Sequence, residues 1–234
     1  MPRLEWDKSG ERYYEMGTSR GVLYPAKGTA YDSGVAWNGL TAVNESPEGA
    51  EATDLWADDT KYATFRSAEK FKGTIEAYTY PEEFEECDGT KEIAPGITVG
   101  QQGRKAFGLC YRSAIGSDVD IERSQYKLHL VYGCTASPSE KSRETINDSP
   151  DAITFSWEFE TTPVNVPIEG FKPTALLEID SRRVTAENMK KLEDKLYGTA
   201  ETEPTLLLPA EVIALIGVEG VVTASETVDN TATE

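Results

Sequence analysis

Apolar and polar residues alternate with period two in several stretches of this chain, which predicts strands with one buried face. The clearest places Ile153, Phe155, Trp157 and Phe159 opposite Thr154, Ser156, Glu158 and Glu160. Tyr126, Leu128, Leu130 and Tyr132 form a second such face, Phe107, Leu109 and Tyr111 a third, and Ile75 and Ala77 mark a fourth. Weaker strand patterns lie at Glu11 to Met16, Gly21 to Pro25, Val35 to Val43, Lys61 to Ser67 and Thr174 to Asp180. Helical periodicity is confined to two places. Thr185 is a good N-cap for a helix carrying Met189, Leu192 and Leu196 on one stripe and stopping at Gly198. A second helix opens on Pro209, with Glu211 near its positive end, and stops at Gly217. Pro81 to Cys87 adds at most one turn.

Strands joined by turns, without intervening helices, predict a mainly β fold: two packed antiparallel β-sheets, sandwich or barrel-like, with a flanking α-helix. The expected organisation is one domain over residues 1–217, with a long loop at 44–59, and a loosely ordered acidic C-terminal tail over residues 218–234. The loop is acidic throughout: Glu45, Glu48, Glu51, Asp54, Asp58 and Asp59 follow Asn44 without one basic residue, and Leu55 and Trp56 stand among them.

Charge narrows the function. The chain holds 41 acidic and 23 basic residues for a formal net charge of −18. Gripping nucleic acid by its phosphates needs clustered Lys and Arg, so that class is disfavoured; solubility alone also accounts for acidity. Cys87, Cys110 and Cys134 are an odd number without C-x-x-C spacing, which argues against a disulfide framework or zinc finger and for a reducing site of synthesis. No apolar run approaches the roughly 20 residues needed to span a bilayer, so no membrane insertion is expected.

Catalytic constellations are not evident. His129, the one histidine, sits between Leu128 and Leu130 without a nucleophile motif around it and reads as a structural or surface residue. No Walker sequence or dinucleotide fingerprint occurs. Asp118, Asp120 and Glu122 lack the Gly and distal Glu of an EF-hand and read as a turn, and the sequons at Asn44 and Asn147 have no secretory route to serve. No catalytic, cofactor-binding or metal site is therefore expected. Tyr13, Tyr14, Tyr24, Tyr31, Tyr78 and Tyr80 leave a carbohydrate-binding β-sandwich open as an alternative.

Four blocks resemble the major tail tube proteins of long-tailed, siphovirus-type bacteriophages and prophages: GVAWNGLTAVNESPEGAE from Gly34, DDTKYATFRSAEKFKGTIEAYTYPEEFEECDG from Asp58, QGRKAFGLCYR from Gln102, and Tyr126 to Val164 with YKLHLVYG and SPDAITFSWEFETTPV. The resemblance implies a structural protein of the virion, made in the bacterial cytoplasm, whose subunits close into hexameric rings stacked into a tube for DNA ejection. It also implies tape measure, tail tip and terminator proteins as partners, and transient, non-sequence-specific passage of DNA. An acidic lumen would let phosphates slide past, and Glu158 and Glu160 are the candidate lumen-facing acids. The 44–59 segment is the candidate ring-to-ring contact.

Overall fold

The computed structural model describes residues 3–120, 122–143, 145 and 152–217. The expected tail over 218–234 lies outside them. Thirteen strands occur among the described residues: β1 (Tyr13–Lys27), β2 (Ala30–Tyr31), β3 (Val35–Ala36), β4 (Leu40–Glu45), β5 (Ala52–Ala57), β6 (Thr60–Arg66), β7 (Lys72–Ala77), β8 (Lys91–Ala94), β9 (Ile97–Val99), β10 (Phe107–Ser117), β11 (Gln125–Ala136), β12 (Phe155–Thr161) and β13 (Leu176–Asp180). The helices are a 3-10 turn at Glu82–Phe84 running into α1 (Glu85–Asp88), then α2 (Ala186–Leu196) and α3 (Pro209–Ile216). The fold is mainly β, with antiparallel sheets packed together, as the alternating pattern predicts.

Strand β11 belongs to both sheets. Its first half, Lys127 to Val131, pairs with β13 on one side and β10 on the other, and β10 continues to β1. Its last residues, Cys134 to Ala136, pair with β12, which leads on to β7 and β4. The change of partner falls at Gly133, whose φ is +60°. A Cβ there would stand 2.3 Å from the Thr162 carbonyl oxygen, so both the backbone angle and the close approach require glycine. Across the fold, β3 pairs with β1 while the next strand, β4, lies in the other sheet. Trp37, between them, donates its indole N–H to the Thr79 carbonyl at 3.0 Å.

The space between the sheets is filled by aromatic rings. Trp157 is wholly buried against Phe84, Tyr80 and Trp37 at centroid distances of 5.1, 5.3 and 5.9 Å, all edge-on. Such contacts add about 0.5–1.5 kcal/mol per pair beyond area burial. Ile153 departs from the expected face: it precedes the first β12–β7 pair, at Phe155, and is 40 % exposed.

Among the described residues, α2 and α3 cover one outer face. Val22, Tyr24, Cys110, Leu128, Leu130 and Tyr132 pack against Met189, Leu192 and Leu196 of α2 and Val212 of α3. Thr185 caps α2 by accepting from the Asn188 N–H at 3.3 Å, and Gly217 ends α3 in the left-handed conformation. The Tyr24 and Tyr132 hydroxyls donate to the Leu196 and Leu207 carbonyls at 2.5 and 2.9 Å, fixing the helical layer to the sheet. The opposite outer face, on β12, β7 and β4, carries no such layer of helix among the described residues. Burial pushes the Cys87 and Cys110 thiols up to about 12, and both are unpaired.

Candidate functional site

The acidic 44–59 segment is not a loop. Asn44 and Glu45 end β4, residues 46–51 form a short connection, and Leu55 and Trp56 belong to β5, which among the described residues pairs with β6 alone. Asp58 and Asp59 form the two-residue turn between them, with φ of 48° and 59°. Two positive values give the turn whose twist matches a hairpin, and aspartate is among the few residues besides glycine that tolerate them. The expectation failed because Asp-Asp is a weaker turn signal than a glycine-containing pair. A register shift between Leu55 and Trp56 also breaks the alternation.

The result is a two-stranded ribbon standing off the sandwich. One of its faces carries Asp54, which pairs with Lys61 at 2.7 Å and accepts from the Thr64 hydroxyl at 2.8 Å. The other carries Leu55 and Phe65, in register with Ala63 and Thr53 respectively. Leu55, Trp56, Tyr62 and Phe65 are 41, 68, 77 and 61 % exposed. Four large apolar side chains exposed on one two-stranded element are the kind of surface that marks an interaction site. Glu51 is exposed at the base of the ribbon, where its carbonyl accepts from the Ser67 N–H at 3.4 Å.

Glu158 and Glu160 lie on the uncovered face of β12, opposite Trp157 and Phe159. Lys72 joins this face to the ribbon's base, with its ammonium 2.9 Å from Glu160 and 3.0 Å from Glu48. The hydrogen bond from Lys72, reinforced by its charge, holds the Glu160 carboxyl below its ordinary value. Glu160 is thus partly neutralised, whereas Glu158 has no such ion pair among the described residues. Asn44, on the same sheet, donates its side-chain N–H to Glu76 at 3.3 Å.

The tyrosines do not form one platform. Tyr24 is buried, Tyr31 accepts from the Gly133 N–H, Tyr80 packs edge-on to Phe155 and Trp157, and Arg182 stacks over Tyr13. Tyr14 and Tyr78 are exposed. Asp120 serves the expected turn, accepting from the Ser124 N–H at 3.2 Å, whereas Asp118 accepts from the distant Gly10 N–H at 3.0 Å.

Glu45 departs from the rest of its segment. Its carboxylate turns into the space between the sheets, where it accepts from the Tyr111 hydroxyl and lies 3.6 Å from the His129 ring. His129 is only 4 % exposed and stacks parallel to Tyr111, with ring centroids 4.6 Å apart. Sequence reasoning missed this grouping because its carboxylates, Glu15, Glu45 and Glu178, come from three strands far apart in the chain. Lys127 pairs with Glu15 at 2.7 Å. Burial raises the Glu15 carboxyl's proton affinity, but hydrogen bonds from Lys127 and Ser113 outweigh it and leave the group below its ordinary value.

Among the described residues no helix is long and apolar enough to cross a membrane. No protein-family model matches the chain, and no curated protein matches it.

Proposed function

We propose that the chain is a structural subunit of a phage tail tube, closing into hexameric rings that stack into the conduit for DNA ejection. The observation that carries this reading is the β5–β6 ribbon, which holds Trp56, Tyr62 and Phe65 in solvent where only a partner can cover them. The resemblance of four sequence blocks to tail tube proteins supplies the identity of that partner, a second copy of the chain. A heterologous contact of this kind, between unlike surfaces of neighbouring copies, continues from ring to ring instead of closing.

The uncovered sheet face fits the lumen. Glu158 and Glu160 on β12 offer DNA phosphates no cationic grip, and Lys72, which pairs there, is bound between two carboxylates. Tape measure, tip and terminator proteins would set the tube's length and ends, and the virion would be its place of action.

Electron microscopy of the concentrated, purified protein tests the proposal. Rings or hollow tubes are expected without added ligand or metal. A protein that stays monomeric at high concentration, even with tail initiator proteins supplied, would overturn it. Glycan binding that depends on Trp56 would then favour the carbohydrate-binding alternative.

A further inference from the structure

The polar end of the space between the sheets holds an arrangement that the tube reading leaves unexplained. His129 and Glu178 are direct cross-strand partners on β11 and β13, and Glu45 reaches them from β4 in the facing sheet. One ligand atom from each of the three lies within 4.8 Å of the others. The His129 Nδ1 stands 3.2 Å from a Glu178 oxygen and 3.6 Å from a Glu45 oxygen. Two ligands of one tetrahedral ion at about 2.0–2.2 Å are separated by about 3.4 Å, so these spacings are already close to coordination geometry.

Hydrogen bonding fixes which nitrogen faces the carboxylates. The Ser113 hydroxyl donates to Glu15 at 2.5 Å, because an ionised carboxylate can only accept. Its oxygen is then the acceptor for the His129 Nε2–H at 2.8 Å. In the neutral ring this leaves the Nδ1 lone pair pointing at two acidic side chains. Nδ1 is buried and makes no hydrogen bond among the described residues, and the side chain as a whole is 6 % exposed. A lone pair buried against two carboxylates is costly unless a cation lies among them.

We infer that Glu45, His129 and Glu178 bind one divalent transition-metal ion of the zinc class. One imidazole and two carboxylates suit Zn²⁺, with Co²⁺ and Mn²⁺ as weaker substitutes, whereas Ca²⁺ and Mg²⁺ prefer all-oxygen sets. The two carboxylates balance a dication, since Lys127 is engaged with Glu15. Tyr111 and Ser113 supply the outer support: the first stacks on the imidazole and donates to Glu45, and the second sets the tautomer. Glu45 and Glu178 are 32 and 45 % exposed, which leaves an entry path and room for water as a fourth ligand. Bound there, the ion would tie the β4 sheet to the β11–β13 sheet.

The test is a titration of the chelator-treated, full-length protein with Zn²⁺, followed by calorimetry and thermal melting. One ion per chain is expected, with a melting temperature that climbs as Zn²⁺ is added. Co²⁺ should give visible ligand-field absorption. Glu178→Gln and His129→Gln should abolish saturable binding, and Ser113→Ala should weaken it about tenfold with the stoichiometry unchanged. Circular dichroism checks that each variant is folded; if His129→Gln is not, the half-exposed Glu178→Gln decides. No saturation up to millimolar Zn²⁺ would overturn the inference. So would binding that survives Glu178→Gln, or a nitrogen NMR spectrum in which Nδ1 carries a proton that Zn²⁺ does not displace. None of these readouts depends on tube formation.

Discussion

Replacing Trp56 with alanine isolates the ribbon's contribution to assembly. The indole is 68 % exposed in the free subunit. A tryptophan presents up to about 250 Å², so covering it at a neighbour would remove roughly 150 Å² from water. At about 25 cal/mol per Å² this is worth about 4 kcal/mol. Ordering the side chain and the area that alanine still buries reduce the difference to about 2–3 kcal/mol, the range of an interface hot spot. Each factor of ten corresponds to about 1.4 kcal/mol, so the critical concentration for tubes should rise about 30- to 150-fold. The subunit itself should not notice, because substitutions at such exposed sites usually change stability by less than about 0.5 kcal/mol. Sedimentation across a concentration series would give the critical concentration, and calorimetry would check the melting temperature. Tubes forming at the wild-type concentration from folded Trp56→Ala protein would refute the ribbon as an assembly contact.

Trp157→Ala should do the opposite, losing about 3–5 kcal/mol of subunit stability; a melting temperature lowered by less than about 6 °C would contradict the aromatic core described between the sheets. Changing Glu158 and Glu160 together to Lys should leave tubes intact but slow DNA ejection, with relief at high salt, and normal ejection kinetics would rule out a lumenal position. Acid should unfold the protein partly through Glu15 and Asp180, whose carboxyls lie below their ordinary values of 4.5 and 3.8. For Asp180 the cause is chiefly the Arg182 hydrogen bond. A depressed folded-state value means a contribution fully present above the ordinary value and lost as pH falls through the folded one. Urea midpoints should therefore drop below about pH 4.5 and show no loss from this source between pH 6 and 8. A midpoint unchanged down to pH 3 would refute it.

The elements legible in the sequence are those whose cause is local. Helix α2 follows from Thr185 and its apolar stripe, α3 from Pro209 and Gly217, and β12 from the alternation through Phe155, Trp157 and Phe159. Strand β1 reads as two pieces because register shifts between Met16 and Val22 break the period, and Gly17 and Arg20 there have positive φ. The β8–β9 hairpin is invisible, since its strands are short and exposed and carry no buried face. The His129 grouping is the extreme case. Its members are brought together by sheet register and by the packing of two sheets, neither of which leaves a local trace.

The ribbon leaves and re-enters the fold at almost one point. Strands β4 and β7, which flank it in sequence, are themselves paired, and the pairing runs from Glu45 opposite Gly73 out to a bridge between Glu48 and Lys70. The sandwich therefore closes the same way whatever length of chain is looped out beyond that bridge, and doubling such a loop costs only about 0.6 kcal/mol. This makes the position a natural socket: lineages could lengthen, shorten or exchange the insert without renegotiating the core, and a foreign peptide grafted there would be displayed at the tip of a scaffold that folds independently of it.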